Sequence, residues 1–535
     1  MNQKNRDILL LAIGGLILFL PFLGAVHLFD WDEINFAESA REMLFSHDYL
    51  TVQIKYIPFW EKPPLFIWMQ VLSMKVFGIN EFAARFPNAI AGVVTLITIY
   101  LMGRKLFSRK FGLLWALVYA GSILSQLYFH SGIIDPWFNL FIFTGMYFMV
   151  IYVTGNEKKK WLHVFLSAAF IGLGIMTKGP VALLIFALTL FAWLVFSRKW
   201  KTVFNLRFIG IYIGTVALIG GFWFILQILS GKAYLIMEFI EYQIRLFTKK
   251  DAGHGGFLFY HFVILFIGMF PASIFALSSF RKFKDDTESQ SKFRHWMMIS
   301  FWVVLILFTI VKTKIIHYSS FCYFPLSFLA VYSIYQFNEK KVKFRNWQKT
   351  VLIFMGTVLG LAVIGMNYFM ANIQSFIEKG WIKDKFAEAN FQADVHWSGF
   401  EFLIGVFLIF TVIFSIWYFR RNIIKLSVSL FTGTMLFTAV WLIVVTPKIE
   451  GYTQNAAIEF FESHKGEDVI MGVWGYKSYA HHFYFQMPVP DENYPFEEEN
   501  LYQPWPKTTY ISTKITKMEE FETQFPEFQL LYTKN

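Results

Sequence analysis

The stretch ARFPNAIAGVVTLITIYLMGRKLFSRK, residues 84–110, decides the fold class because a long, mostly apolar run leads directly into a basic segment. A membrane-spanning helix needs about 17–25 mostly apolar residues, and residues 84–103 meet that length. The segment that follows, residues 104–110, holds four lysines and arginines, which is typical of a short cytoplasmic loop. The same pairing recurs along the chain, so the sequence predicts an α-helical polytopic membrane protein.

Composition supports this fold class. The 535 residues are 56% hydrophobic and 16% charged, whereas about a quarter of the residues are charged in a soluble globular chain. Mean hydropathy is +0.47. By length and apolar character we predict about thirteen spans, which cover residues 8–28, 84–103, 111–129, 136–154, 161–177, 180–197, 208–229, 257–279, 296–312, 317–336, 350–371, 399–418 and 425–446.

The distribution of charge predicts the orientation. With a cytoplasmic N-terminus, every second connector is short and basic, and these connectors plus the N-terminus hold about 26 of the 48 lysines and arginines. The net charge of +11 therefore reflects topology and an anionic membrane surface rather than a nucleic-acid partner. The single cysteine, Cys322, excludes an intramolecular disulfide. The first apolar run is predicted to be a retained span rather than a cleaved signal peptide.

Two segments on the opposite, extracytoplasmic side differ in kind from the short connectors. Residues 447–535 lose the membrane composition and predict a small soluble α/β or α+β domain, with a helix at NAAIEFFESH and strands at DVIMGVW and TTYIST. The pair His481–His482 is predicted to be solvated rather than to bind a metal. The domain boundaries are therefore 1–446 for a membrane domain and 447–535 for a soluble domain, and the second distinctive segment is the first outer loop, 29–83.

The first outer loop predicts two helices that lie on the membrane surface. In DEINFAESAREM, Ile34, Ala37 and Ala40 recur at helical spacing while Glu38 and Arg41 lie on the other side. An extended segment follows, and PPLFIWMQ begins a second helix with proline in its first turn. The turning points of this loop present four charged residues, namely Asp32, Glu33, Glu61 and Lys62.

Each charged residue also has a structural interpretation. Asp30 and Glu33 fit an acidic variant of the capping box, and Glu61 with Lys62 could form a surface ion pair worth under about 1 kcal/mol. Asp135, directly before Pro136, favours an N-cap.

Several motifs in order resemble the protein O-mannosyltransferase and aminoarabinose (lipid A) transferase families, which are GT-C glycosyltransferases. They are DEINFAESAREM, WEKPPLFIW, FGINEFAARFPNAIAG, GIMTKGPVALL, GHGGFLFYH and KTKIIHYSSFCYFPL, within about the first 340 residues. The resemblance implies a GT-C fold and transfer of a sugar from a polyprenyl-phosphate donor. Asn35 and Phe36 depart from the arginine and tyrosine common in those families, which leaves the sugar and acceptor open.

The resemblance implies the role of Asp32, and the other site residues are expected from their chemistry and their position on the outer loops. Asp32, with Glu33 beside it, is the catalytic acid pair, and Asp32 is the base that accepts the acceptor's proton. Lys62 is the first donor-phosphate ligand. The further phosphate ligands are Lys178, Lys314 and Tyr318, and the supporting residues are Glu61, His254, Asp135 and His317.

The chemistry requires no cofactor, since lysines can neutralise a lipid monophosphate. Glu61 with His254 is a weak candidate site for a divalent metal. The acceptor is a hydroxyl or phosphate of lipid A, another glycolipid, a glycan or a protein, and the reaction is expected to be inverting. The expected location is the inner (plasma) membrane, multi-pass, with the active site and the C-terminal domain outside the cytoplasm.

Two other classes of protein remain open. A secondary transporter would place ionisable residues near the midplane of the membrane, whereas the predicted span centres are almost free of charge. A noncatalytic polyprenyl-lipid-binding protein would not need Asp32. The clustering of charge at one surface favours interfacial chemistry.

Overall fold

The fold is known from a computed structural model, which describes residues 1–155, 159–248, 255–280, 287–339, 342–489 and 507–534. These residues are mostly helical, as the apolar periodicity predicts. The α-helices are α1 Gln3–Phe19, α2 Asp32–Ser46, α3 Leu65–Phe77, α4 Glu81–Leu106, α5 Arg109–Ala120, α6 Ile123–Leu127, α7 Asp135–Thr154, α8 Lys160–Lys178, α9 Val181–Ser197, α10 Trp200–Val203, α11 Leu206–Gly220, α12 Phe222–Leu229, α13 Ala233–Thr248, α14 Tyr260–Gly268, α15 Ala272–Ala276, α16 Glu288–Ile310, α17 Tyr323–Asn338, α18 Asn346–Ala371, α19 Ile373–Glu378, α20 Lys385–Phe391, α21 Phe402–Tyr418, α22 Ile423–Val444, α23 Thr446–Gly451, α24 Asn455–Ser463, α25 Ala480–Phe485 and α26 Met518–Gln524.

Short 3-10 segments and four strands complete the secondary structure. The 3-10 segments are Tyr128–His130, Leu277–Phe280, Ile316–Cys322 and Ile515–Lys517. The strands are β1 Gln53–Ile54, β2 Ile57–Pro58, β3 Ile470–Trp474 and β4 Thr509–Thr513. β1 pairs with β2 antiparallel, and β3 pairs with β4 in parallel.

The polytopic fold class is confirmed, and each predicted span contains helix. Among the described residues, six helices are long and apolar enough to cross a membrane, or nine if each of three bent pairs is one span. The bends are 80° between α5 and α6, 57° between α11 and α12, and 107° between α14 and α15. The other four predicted spans hold the shorter helices α1, α9, α17 and α21, so the number thirteen stays a prediction.

Helix α7 is the most buried of the six long apolar helices. In the most apolar stretch of α7, 83% of the residues are buried against protein, whereas the figure for α18 is 33%. One large hydrophobic cluster includes α1 and most of the helices between α4 and α22. A second cluster joins the first outer loop to the C-terminal segment, and the candidate site lies close to this second cluster.

Helix α2 confirms the predicted helix of the first outer loop, and its polar side is covered by protein. Residues 33–43 of α2 are all buried, including Glu38, Arg41 and Glu42, none of which is exposed. The C-terminal segment and the hairpin β1–β2 cover this face: Tyr56 donates from its backbone to Glu42, and its hydroxyl donates to the Met487 carbonyl. A single amphipathic pattern could not reveal this second covering surface.

The C-terminal elements agree with the predicted helix and two strands, at α24, β3 and β4. These elements pack on the first outer loop, since Ile458, Phe461 and Met471 share the second hydrophobic cluster with α2 and α3. The predicted loop MPVPDENYP falls mostly outside the described residues. The prediction of a solvated His481–His482 pair is wrong: both side chains are buried, because helix α25, which carries them, packs against α2 and α24.

Candidate functional site

Asp32 is the first residue of α2, and its carboxylate faces the segment that precedes α17. Its Oδ2 lies 3.2 Å from Nε2 of His317, and its side chain remains 36% exposed. Burial alone would raise the pKa of Asp32. The hydrogen bond and charge of His317, with the charges of Lys62 and Lys178, outweigh that effect and lower the pKa to about 2. Asp32 is therefore an ionised, accessible carboxylate in a cationic recess.

Glu33 is placed quite differently from its neighbour. Arg85 of α4 donates to both of its oxygens, over 3.1 and 2.8 Å. The same carboxylate accepts the backbone N–H groups of Phe29, over 2.9 Å, and of Gly132. With both oxygens occupied and the side chain buried, Glu33 fixes the start of α2 against α4 and the loop before α7.

The predicted Asp30–Glu33 capping box does not form. The N-cap of α2 is Trp31, which makes no side-chain cap hydrogen bond. Glu33 reaches back to the N–H of Phe29 rather than to that of Asp30. The N–H of Asp30 instead donates to Gln454 of the C-terminal segment, over 3.3 Å.

Lys62 and Glu61 both contact Tyr242 of α13. The Lys62 Nζ lies 3.6 Å from Glu61 Oε2 and 5.2 Å from the centre of the Tyr242 ring. The Tyr242 hydroxyl donates to Glu61 over 2.9 Å, and the Trp60 ring packs edge-on against Tyr242. Lys62 is 15% exposed, so it is held on an aromatic surface rather than extended into solvent.

Lys178 is the last residue of α8, and it bonds to Asp135 at the start of α7. The distance from Nζ to Asp135 Oδ1 is 2.7 Å. Gly179 follows with a φ of +87°, and a Cβ there would come 2.6 Å from the Phe239 ring. Only glycine suits this turn, which directs the Lys178 side chain toward Asp135.

The N-cap interpretation of Asp135 is corrected by this contact. Helix α7 begins at Asp135, the preceding Ile134 makes no side-chain cap bond, and the buried carboxylate accepts from Lys178 instead. A carboxylate in the first turn still interacts favourably with the helix dipole. Pro136 follows inside the first turn, as predicted.

The 3-10 segment Ile316–Cys322 presents His317 and Tyr318 to the same recess. The Ser320 hydroxyl donates to the His317 carbonyl over 2.5 Å and accepts from Asn139 of α7 over 2.7 Å. Tyr318 lies beside Lys178, with 5.5 Å between Nζ and the ring centre. The structure thus brings Asp32, Lys62, Lys178, Asp135, His317 and Tyr318 together from five separate parts of the chain.

Lys314 is placed apart from these contacts. Its Nζ donates to the carbonyls of Phe308, Thr309 and Val311, over 2.9, 2.7 and 2.7 Å. Because these three bonds use all its protons, Lys314 closes the end of α16 here, and its predicted phosphate contact gains no support from this geometry. His254 lies outside the described residues, so the Glu61–His254 metal site stays a prediction.

Sequence reasoning missed two residues that hold the predicted ones in place. Arg85 lies in the quoted motif FGINEFAARFPNAIAG, but its partner Glu33 is 52 residues away. Tyr242 lies in a different outer loop, 181 residues from Glu61. The only sequence signal was an arginine at the mouth of a span, a position where a buried ion pair costs least.

A known family model matches part of this chain. The family described as dolichyl-phosphate-mannose-protein mannosyltransferase matches residues 61–224. That range begins at Glu61 and includes Lys62, Asp135 and Lys178. Asp32 and His317 fall outside it.

Among curated proteins, the chain is 28% identical to an uncharacterised protein of Aquifex aeolicus, over 68% of this chain and 70% of that one. It is 26% identical to the undecaprenyl phosphate-alpha-4-amino-4-deoxy-L-arabinose arabinosyl transferase of Yersinia enterocolitica, over 68% of this chain and 66% of that one. Further relatives of the same description are matched over about three fifths of their length, 61% for that of Wigglesworthia glossinidia brevipalpis.

Among solved structures, ArnT from Cupriavidus metallidurans bound to undecaprenyl phosphate aligns with a TM-score of 0.74. The identity is 16%, and the alignment covers 91% of this chain and 85% of that one. At that identity the likeness concerns the fold. The helical architecture of this chain therefore resembles the fold of that protein.

Proposed function

We propose that this chain, which resembles the GT-C glycosyltransferases of the protein mannosyltransferase and aminoarabinose transferase-like group, moves a sugar from a polyprenyl-phosphate donor to an acceptor hydroxyl or phosphate. The observation that carries this proposal is the recess at Asp32. There an ionised carboxylate lies under the charge of two lysines that come from different outer segments. A donor that joins a sugar to a lipid phosphate needs both functions side by side.

The phosphate end of the donor fits the lysines. Lys62 and Lys178 are partly buried ammonium groups, and each is steadied by a carboxylate and an aromatic ring. Point charges held in place stabilise a leaving phosphate as its charge develops. Tyr318, beside Lys178, adds a phenol to the same wall. We propose that these groups suffice at the donor phosphate and that the transfer step requires no metal.

The sugar end of the donor fits Asp32. In the proposed reaction the acceptor oxygen attacks the anomeric carbon, and Asp32 takes the hydroxyl proton. The bond between the anomeric carbon and the phosphate oxygen breaks with its electron pair on the phosphate. The products are an inverted glycoside and the polyprenyl phosphate, which retains both lysine contacts. An acceptor phosphate is already ionised and does not need the base.

The low pKa of Asp32 is consistent with this order of events. The cationic partners that lower the pKa to about 2 would make Asp32 a weak base if they stayed unneutralised. A bound donor phosphate offsets the charge of Lys62 and Lys178, so the pKa of Asp32 rises and its basicity increases. Donor binding would thereby prepare the base.

We further propose that residues 1–446 form the catalytic membrane unit and residues 447–535 an extracytoplasmic unit, with the recess facing the outside of the inner membrane. The basic connectors support this orientation, as the positive-inside rule requires. The acceptor then comes from the cell envelope: lipid A, another glycolipid, a glycan or a protein. The relatives named for aminoarabinose make an aminopentose on undecaprenyl phosphate the first donor to test.

The test is transfer by the purified full-length protein in detergent or liposomes. Labelled undecaprenyl-phosphate sugars, aminoarabinose and a hexose, are offered with lipid A and with an acceptor that carries only hydroxyl groups. The expected result is a labelled product whose anomeric configuration is inverted. Mass spectrometry of envelope glycolipids and glycoproteins with and without the gene should show one missing sugar. Donor binding without turnover on any acceptor would contradict the proposal and favour a noncatalytic lipid-binding protein.

A further inference from the structure

A second group of ligand-type side chains lies at the junction of the first outer loop and the C-terminal segment, away from the Asp32 recess. His27 precedes α2, Glu81 is the first residue of α4, and Glu462 lies on α24. One potential ligand atom from each of these three lies within 4.8 Å of the others. Glu450 of α23 lies behind the imidazole. These four residues are called the His27 cluster.

The orientation of the imidazole matches that of a metal ligand. His27 Nδ1 lies 3.0 Å from Oε1 of Glu450, a carboxylate that is only 7% exposed, while Nε2 lies 3.9 Å from Oε2 of Glu462. A carboxylate that accepts the Nδ1 proton leaves the Nε2 lone pair for a metal. The Tyr484 ring packs edge-on against the imidazole and restricts its rotation.

The charge balance of the cluster also calls for a cation. Three carboxylates surround one imidazole, and within the described part of the chain none of Glu81, Glu450 and Glu462 forms an ion pair with a lysine or arginine. Elsewhere near this junction carboxylates are neutralised, as Glu33 is by Arg85. Carboxylates gathered without such a partner repel one another, and a divalent cation removes that repulsion.

We propose that His27 Nε2, Glu81 and Glu462 bind a divalent transition metal of the Zn²⁺ class, with Glu450 orienting the imidazole and water completing the shell. Nitrogen and carboxylate oxygen are ordinary Zn²⁺ ligands, at about 2.0–2.2 Å, so tetrahedral ligand atoms lie about 3.3 Å apart. The ligands must therefore close from their present spacing. Glu462, whose side chain is 46% exposed, has room to move.

Such a metal would join two parts of the protein that are far apart in sequence. His27 is five residues before Asp32, and Glu81 is four residues before Arg85, which holds Glu33. Glu462 belongs to the C-terminal segment, which covers α2. The metal would therefore fix the C-terminal segment against the loop that carries the base. This inference does not depend on the proposed glycosyl transfer.

The experiment uses the full-length protein in detergent, stripped with a chelator and dialysed against limiting ZnCl₂. We expect about one more zinc per chain by elemental analysis in the wild type than in Glu462→Gln, Glu81→Gln or His27→Ala. Glu450→Gln should weaken zinc binding about 10–100-fold, as loss of an orienting carboxylate does. Zinc should raise the Tm of the wild type but not of Glu462→Gln, since a ligand that binds only the folded state stabilises it.

Glu459→Gln is the matched control. It removes a carboxylate from the same helix, α24, one that pairs with Lys534 and Asn455 outside the cluster. Its zinc content and Tm response should equal those of the wild type. Equal zinc content and an equal Tm response in wild type, Glu462→Gln and His27→Ala would overturn the proposal. A zinc ion bound elsewhere would persist in every variant and cancel in the comparison.

The same variants separate this site from the catalytic recess. In Glu462→Gln the cluster can no longer hold its metal, so any remaining effect of a chelator on turnover reports a metal elsewhere. We expect no such effect, because Lys62 and Lys178 supply the charge at the donor phosphate.

Discussion

The first turn and the middle turns of helix α2 carry similar charged side chains in opposite settings. In the first turn, Asp32 is 36% exposed, and its partners His317, Lys62 and Lys178 come from outside the helix. In the middle, Arg41 and Glu38 are fully buried and form a two-bond pair within the helix, at 2.7 Å for each bond. Glu42 beside them accepts the N–H groups of Lys55 and Tyr56.

The difference lies in what each set of charges can still bind. The Glu38–Arg41–Glu42 group is sealed by the hairpin and by α25, so its charges can only stabilise the fold. The Asp32 recess keeps a cationic excess and an accessible oxygen, so its charges can meet a ligand. Buried pairs of the first kind contribute less than they appear to, because desolvation offsets the attraction, yet losing one partner is costly.

The largest expected effect comes from Asp32→Asn. The amide keeps the volume and a hydrogen bond with His317 but cannot accept a proton. We expect kcat with a hydroxyl acceptor to fall by about 10²–10⁴-fold, while Tm and membrane insertion stay unchanged. Transfer assays measure kcat, and thermal unfolding of the same detergent-purified protein measures the Tm. Wild-type turnover by Asp32→Asn would remove Asp32 from the role of base.

The next largest effect is on stability, from Arg41→Ala. Removing the guanidinium leaves Glu38 buried without its partner, which costs about 3–5 kcal/mol. A lower Tm or a loss of folded protein in detergent is expected. Lys62→Ala is the comparison variant. Lys62 lies in the open recess, so its replacement should leave the Tm unchanged. Equal Tm values for Arg41→Ala and the wild type would mean that the sealed group does not stabilise the fold.

Lys62→Ala should mainly weaken donor binding. Loss of one charge-assisted contact costs about 1.5–3 kcal/mol, or roughly 10–100-fold in affinity. Lys178→Ala should do the same and also destabilise the protein, since it leaves the buried Asp135 unpaired. Calorimetry with polyprenyl phosphate measures the donor-site affinity of both variants. An unchanged Kd in Lys62→Ala would place the phosphate elsewhere.

The smallest expected effect is a pH dependence of folding stability, and it arises in the covered region where α25 packs on α2. Burial, with some help from Lys55, lowers the pKa of His481 to about 3 from an ordinary value of 6.5. The unfolded chain therefore binds a proton that the folded chain excludes. The contribution of neutral His481 to stability is complete above pH 6.5 and is lost as the pH falls from there toward 3.

Replacing the His481 imidazole tests the direction of this pH dependence. His481→Phe, which keeps a ring but cannot titrate, should reduce the loss of Tm between pH 6.5 and 5. His464→Phe is the control, since His464 lies in the same segment but is not fully buried and bonds to Ser463. An identical pH profile in wild type and His481→Phe would contradict the burial argument.

Much of this molecule follows from local sequence. Apolar length predicts where helices run, because a lipid environment forces each span to satisfy its own backbone. Proline before α3 and the strand-like runs DVIMGVW and TTYIST at β3 and β4 predict local elements from local sequence. Asp32, Lys62 and Lys178 were predicted as site residues through motifs, and the structure places them in one recess.

The errors share a different cause. Asp135 was predicted to be a cap and His481–His482 a solvated pair, and no cover was predicted for the polar side of α2. In each case the partner comes from a distant part of the chain: Lys178 for Asp135, helix α2 for the histidine pair and the C-terminal segment for α2. Helical periodicity reports only that a face is polar, and it does not reveal whether that polar face is covered by protein or by water.

The sequence by itself thus determined a multi-span helical protein and the charged residues that meet in the recess, and it predicts the sidedness of the chain from its basic loops. Those features depend on hydrophobic length and local charge, which act over about twenty residues. Only the tertiary structure decided that Asp32 stays open while Glu33, one residue later, is locked to Arg85. The exposure of a carboxylate depends on which distant side chains reach it, and these contacts form only when the helices pack.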